Sequence, residues 1–125
     1  MNNFTSAVTF LQTTKMEETT KFYVEIMKCP IVVDQGQCKI FQITKESYIG
    51  FCSHDFLENE QKGICFTFVC DSKEEVDQWY EVLKENKVKV KDSPKENTKF
   101  KIYNFFANDP NGLLIEVQYF LHPFP

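Results

Sequence analysis

Glu116 and Gln118 alternate with apolar residues along the terminal run Leu113 to Phe120, so a carboxylate and a carboxamide share one face of a strand with Leu114. A carboxylate held among aromatic rings loses hydration; its pKa rises, and it becomes suited to giving and taking protons near neutral pH. Glu116 is therefore the candidate catalytic group. The turn Asp109-Pro110-Asn111-Gly112, counted as four residues, sets a hairpin register with Phe105 opposite Glu116 and Tyr103 opposite Gln118. Alternation in the run Gly63 to Cys70 turns Cys65, Thr67 and Val69 the same way. In the first half of the chain it turns Val8, Phe10 and Gln12, and then Phe41, Ile43, Tyr48, Gly50 and Cys52, toward the corresponding face. The ligand-binding candidates are thus Phe10, Phe41, Tyr48, Cys52, Cys65 and Thr67, together with Tyr103, Phe105 and Gln118. Such a cup suits a small aromatic or apolar molecule carrying a hydrogen-bonding group.

Each candidate also has a plainer reading. Glu116 can serve structure, held by a hydrogen bond from Tyr48 or Tyr103. Cys52 and Cys65 suit small buried fillers as well as nucleophiles, and no histidine is placed to activate either. Gln118, Tyr103 and Tyr48 can orient a ligand or satisfy one another, and Phe10, Phe41 and Phe105 fit a binding wall or a dry core. Trp79 and Tyr80 sit at core spacing with Val76 and Leu83 on a helix. His54 and His122 read as surface residues, with His54 over the cup as the alternative. The charged segment Asp92 to Lys99 reads as a lid or a solvated loop.

The elements that carry these residues come in two copies. Glu17-Glu18-x-x-x-Phe22-Tyr23-x-x-Ile26 returns as Glu74-Glu75-x-x-x-Trp79-Tyr80-x-x-Leu83, an offset of 57 residues. Thr14 with Glu17 and Asp71 with Glu74 read as matching helix caps, each with its reciprocal glutamate. Strand residues follow the same offset, Val8 to Leu11 falling on Cys65 to Phe68 and Val33 on Val90. The expected order is a strand over 6–12 and a helix from about Lys15 to Met27. Strands Ile31 to Asp34, Cys38 to Thr44 and Ser47 to Ser53 follow. After a polar linker, His54 to Lys62, come strand Gly63 to Cys70, helix Ser72 to Glu85 and strand Lys87 to Lys91. Phe100 to Asn108 and Leu113 to Phe120 complete the second copy. This is an α+β fold of two βαβββ modules, about 1–60 and about 61–125, in a single domain whose curved mixed sheets form a concave ligand cleft.

Composition narrows the function. The chain has 125 residues, enough for a real core, and a formal net charge of -4 with no basic stripe, which sets nucleic acid aside. No apolar run reaches the roughly 20 residues needed to cross a bilayer, and no secretory signal opens the chain, so a cytoplasmic protein without membrane partners is expected. Five cysteines with no C-x-x-C pair point to reduced thiols and not to a disulfide framework.

Phe22-Tyr23-x-x-Ile26-Met27 and Asp109-Pro110-Asn111-Gly112-Leu113-Leu114-Ile115-Glu116 carry a resemblance to the vicinal oxygen chelate superfamily of glyoxalases, bleomycin-resistance proteins and extradiol dioxygenases. The resemblance implies paired βαβββ modules around a ligand site, and commonly a homodimer. It also implies four metal-ligand positions, which fall here on Val8, Gly50, Cys65 and Glu116. Only Glu116 matches the His and Glu ligands of the family's enzymes, so no metal and no other cofactor is expected. The function it implies is a metal-free small-molecule binder of the bleomycin-resistance type. The alternative is a metal-dependent or Glu116-assisted lyase, isomerase or dioxygenase acting on a small carbonyl or vicinal-oxygen compound.

Overall fold

The computed structural model describes residues 2–54 and 63–124, so all of the expected linker beyond His54 lies outside the described residues. The chain divides into two compact units, Met1–Lys62 and Gly63–Pro125. Module one runs β1 (Ala7–Gln12), α1 (Met16–Lys21), β2 (Ile31–Asp34), β3 (Cys38–Thr44) and β4 (Ser47–Cys52). Module two runs β5 (Cys65–Val69), α2 (Lys73–Glu85), β6 (Lys95–Asn97), β7 (Ile102–Asn108) and β8 (Leu114–Phe120). The sheets are ordered β1-β4-β3-β2 and β5-β8-β7-β6, with one parallel pair in each, β1 with β4 and β5 with β8. This is the βαβββ order expected from the repeat.

The two helices differ in build. Ser72 caps α2 by accepting the Glu75 N–H at 3.2 Å, while Glu75 Oε1 accepts the Asp71 N–H at 3.0 Å. The reciprocal cap is real but lies one residue later than the expected Asp71 and Glu74. The Thr14 and Glu17 pair does not form its counterpart. Lys15 starts α1 with no side-chain cap, and Thr13 Oγ1 accepts the Lys15 N–H at 2.9 Å instead. Beyond Lys21 the helix widens into a π-helical stretch, Phe22–Ile26, with the Met27 N–H reaching the Phe22 carbonyl at 2.9 Å. Both adjacent rings, Phe22 and Tyr23, are buried. Tyr23 packs 5.6 Å from the Phe41 ring and 5.2 Å from Phe51, which makes an aromatic core between helix and sheet.

In module two the expected strand Lys87 to Lys91 is reduced to a single bridge, Val90 with Ala107. The chain leaves the sheet after Lys91, passes Pro94, and rejoins β7 as β6, inside the segment expected to be a loop. Proline has no N–H for a ladder, and an edge strand can tolerate such an interruption.

The faces are where the structure departs most from the alternation argument. In β7 and β8, Phe106 stands opposite Glu116 and Asn104 opposite Gln118, one residue away from the expected partners. The cause is the turn. The Gly112 N–H meets the Asp109 carbonyl at 3.0 Å, Gly112 takes φ +79 as the extra residue, and the Asp109 N–H pairs with the Leu113 carbonyl at 3.0 Å to begin the ladder, in the manner of a type I turn with a G1 bulge. In module one the two-residue turn places Thr44 opposite Ser47 as expected. A bulge at Ile43 then moves Gln42 opposite Tyr48 and Ile40 opposite Gly50. Phe41, Phe105 and Tyr103 consequently belong to the helix-packed faces, and Ile43 sits at the bulge.

Gly112 holds this register from a conformation that a Cβ opposes. Gly112→Ala is expected to cost roughly 1–2 kcal/mol, read as a lower midpoint in urea with an unchanged slope. A neutral result would show that the turn does not need the left-handed backbone.

Candidate functional site

Glu116 lies at the centre of a polar cluster on the helix-free face of module two. Thr67 Oγ1 on β5 donates to Glu116 Oε1 at 2.7 Å, and Asn104 Nδ2 on β7 donates to Oε2 at 2.7 Å. Gln118, its amide nitrogen turned toward the carboxylate, donates to Oε2 at 2.8 Å and to Oε1 at 3.2 Å. Glu116, Asn104 and Gln118 are all buried. Both carboxylate oxygens therefore meet amide and hydroxyl donors, not the aromatic surroundings that alternation suggested. Charged hydrogen bonds of this kind contribute about 1.5–3 kcal/mol each when the donors are preplaced.

Beside this cluster opens a cavity of about 650 Å³. Glu116, Asn104, Phe106 and Ile102, with a contribution from Phe105, line the sheet side, and Phe100 with residues between Lys91 and Thr98 lines the other. The detour of the chain at Pro94 thus forms a wall of the cavity, which gives the charged segment a place at the site. On its outer side Glu96 pairs with Lys73 at 2.5 Å.

The structure brings together Glu116, Gln118 and Thr67, with Cys65 Sγ 4.0 Å from Thr67 Oγ1. Loss of hydration and the nearby Glu116 charge push the Cys65 thiol up, so it is a poor thiolate. Tyr103 is on the other face, where its hydroxyl donates to Asp77 on α2 at 2.6 Å. Phe105 packs edge-on against Tyr80 at 5.3 Å and is buried in the module core, and Phe41 is buried beneath Tyr23. In module one Phe10, Tyr48 and Cys52 do share the helix-free face. Tyr48, however, donates to the Lys45 carbonyl at 3.1 Å, and Cys52 is joined to Cys38 in a disulfide. The expectation of five reduced thiols is corrected to three, Cys29, Cys65 and Cys70. Cys38 and Cys52 are directly paired across β3 and β4 with Cα atoms 4.1 Å apart, a contact set by the Ile43 bulge.

Asn104, Phe106, Ile102 and Cys38 escaped the alternation argument for one reason, the unrecognised extra residue in each hairpin. In β7 and β8 a signal existed, because glycine at the last position of an Asp-Pro-Asn-Gly turn favours the left-handed conformation of a G1 bulge. At Ile43 no comparable signal is present.

The four positions that the family resemblance assigns to metal ligands do not make a donor set. Val8 is apolar. Gly50 lies under the Phe10 ring, so closely that a Cβ there would stand 2.5 Å from a ring carbon. Cys65 is held as a thiol, and the oxygens of Glu116 are engaged by three side chains. Among the described residues no helix is long and apolar enough to cross a membrane.

A family model described as Glyoxalase/Bleomycin resistance protein/Dioxygenase superfamily matches residues 5–117. Among solved structures, a glyoxalase/bleomycin resistance protein/dioxygenase from Nocardioides is similar with a TM-score of 0.78 at 15% identity, covering 99% of this chain and 87% of the other. A family enzyme from Burkholderia phytofirmans PsJN gives 0.77 at 19% identity, covering 90% and 95%. A lactoylglutathione lyase from Agrobacterium tumefaciens gives 0.72 at 19% identity, covering 90% of each chain. At these identities the likeness is one of fold. No curated protein matches the sequence.

Tyr103 offers a check on its structural placement. The hydrogen bond to Asp77, aided by partial burial and nearby carboxylates, pushes its phenol from 10.0 up to about 12. A folded-state pKa above the unfolded one gives stability that is whole below pH 10 and is lost as pH rises toward 12. Tyr103→Phe should lower the melting temperature at neutral pH and remove that part of the alkaline decline. An unchanged alkaline limb would argue against the Asp77 bond.

Proposed function

The chain belongs to the glyoxalase/bleomycin resistance protein/dioxygenase superfamily, and from that premise we propose that it binds a small aromatic or apolar molecule without a metal. The observation that carries this reading is the Glu116 cluster at the sheet side of a cavity of about 650 Å³, a size in the range of small-ligand sites, with aromatic and aliphatic side chains beside the carboxylate and a charged segment across from it. Phe106, Ile102 and Phe100 supply area for a planar or apolar body. Glu116 supplies an acceptor: Thr67, Asn104 and Gln118 make four contacts with its carboxylate, which has about four lone-pair positions, and a donor from the ligand binds by replacing the longest of them, the 3.2 Å contact from Gln118. Because its rotamer is held from three sides, Glu116 meets the ligand with little ordering cost. The ligand class is therefore a flat or apolar molecule bearing an N–H or O–H group.

A thermal-shift screen of such compounds, followed by calorimetry, tests the reading. Glu116→Gln should weaken donor-bearing hits about tenfold or more, equivalent to about 1.4 kcal/mol, and a chelator should leave their affinity unchanged. Phe106→Ala should weaken all hits with little loss of stability. Phe105→Ala should instead cost about 3–5 kcal/mol of folding stability. If chelation abolishes binding, or if Phe105→Ala and Phe106→Ala exchange these effects, the reading is wrong.

We further propose a cytoplasmic homodimer. Val32 and Val33 on the edge strand β2 are 44% and 42% exposed, a short apolar edge of the kind that association covers. Sedimentation at micromolar concentration should show a dimer that Val33→Lys weakens; a monomer at all concentrations would overturn it.

A further inference from the structure

The helix-free face of module one carries a second cluster with no part in the Glu116 cavity. Cys38 opens β3, Cys52 closes β4 directly opposite it, and His54 follows two residues later on the same side. The Sγ of Cys38 lies 3.8 Å from His54 Nδ1, and the donor atoms of all three residues fall within 4.8 Å of one another. The Ser53 N–H continues the pairing beyond β4 by donating to the Gln37 carbonyl at 2.8 Å, and the Ser53 hydroxyl donates to the same oxygen at 3.3 Å. That doubled contact holds the backbone on which His54 stands. Cys52 is buried, Cys38 half-buried and His54 exposed, so the cluster opens to solvent on one side.

Two thiolates and an imidazole make a soft donor set suited to zinc. Tetrahedral zinc, with bonds of about 2.3 Å to sulfur and about 2.0–2.1 Å to nitrogen, sets its donor atoms roughly 3.5–3.8 Å apart. The separation of Cys38 and His54 already meets this. The two sulfurs are bonded to each other and must part, which side-chain rotation allows because their strands stay paired on both sides.

We propose that Cys38, Cys52 and His54 form a redox-gated soft-metal site, closed as the disulfide and open to one zinc-like cation when reduced. A dithiol reductant opens it: its two thiols become a disulfide while two electrons and two protons convert the Cys38–Cys52 bond into two thiols. A divalent cation then displaces both thiol protons, takes two thiolates and the His54 nitrogen, and keeps a fourth position for water. The Cys38 and Cys52 pair stands, by strand pairing, where module two has Asn104 opposite Gln118. The same end of the sheet thus carries amides beside Glu116 in one module and thiols beside a histidine in the other.

The test uses the full chain, treated or not with a water-soluble phosphine that is then removed, and titrated anaerobically with cobalt(II) alone. Mass spectrometry after alkylation should count three thiols before reduction and five after it. The reduced protein should take one equivalent of cobalt with a thiolate-to-metal charge-transfer band and intensified visible bands, and zinc should displace it. The untreated protein should show neither signal. Cys38→Ser and Cys52→Ser should each lose the charge-transfer band or shift it with a large loss of affinity, His54→Ala should weaken binding about tenfold or more, and Cys70→Ser should behave as the parent. Thermal melts of each variant separate loss of the site from loss of the fold, and alkylated parent protein, its fold verified in the same way, gives a second comparison without mutation. Absence of the band in reduced parent protein, its persistence in a Cys38→Ser, Cys52→Ser double variant, or equal binding before and after reduction would overturn the proposal.

Discussion

Side chains in a strand alternate between faces, so inserting one residue into a hairpin exchanges every side chain of one strand between core and open face. Such insertions set the β7–β8 pairing, at Gly112 after the Asp109 turn, and the β3–β4 pairing, at Ile43 in β3, and a further shift between Ile31 and Val33 adjusts β2 against β3. The site depends on them. With the insertion, Asn104 reaches Glu116 Oε2 at 2.7 Å and Phe105 enters the core against Tyr80. Without it, Phe105 would stand across from the carboxylate and Asn104 would be forced among apolar side chains, leaving a buried amide and a buried acid both short of partners. The Asp109 carboxylate secures the insertion by accepting the Asn111 N–H at 2.8 Å and the Leu113 N–H at 2.9 Å, which fixes the backbone on either side of Gly112. An Asx-type contact in a surface turn thus decides the chemistry of a strand several residues away.

The fold was readable because its signals are redundant. Helix periodicity, the repeated aromatic pairs and the spacing of turns all point to two βαβββ units, and β2 and β3 begin and end where the residues suggest. Within the strands, β5 and β8 were legible for the same reason. Their parallel pairing sets Thr67 beside Glu116 whatever the hairpin does, and Ile115 and Val117 could only face the core. The site was less legible. Its inner wall comes from β7, whose register hangs on a turn conformation, and Ile102-Tyr103-Asn104-Phe105-Phe106 offers large side chains on both faces, so hydrophobicity alone does not choose between them. Tyr103 illustrates the ambiguity: a phenol suits a ligand site, but here it reaches across to α2 and Asp77. The disulfide was hidden by the same parity, since only the bulge at Ile43 sets Cys38 against Cys52.

The two modules share a pairing scheme and differ in what they place on it. Phe10 stands beside Gly50 as Thr67 stands beside Glu116, and Ile40 opposes Gly50 as Phe106 opposes Glu116. In module one this position has lost its side chain, and the Phe10 ring covers the space. In module two it keeps a carboxylate bound by three donors. A carboxylate so held is preorganised as an acceptor, and any cation replacing one of its partners would have to displace a hydrogen bond already optimised at 2.7 or 2.8 Å. The asymmetry therefore separates the two chemistries the fold can host. The proposed recognition of a hydrogen-bond donor rests on the module that retains Glu116, whereas the proposed soft-metal site rests on the end of the other sheet, where cysteines stand in place of the amides. Because the Cys38 and Cys52 cross-link ties β3 to β4 at the end remote from their turn, reducing it changes the constraint on a sheet that carries none of Thr67, Asn104, Glu116 and Gln118.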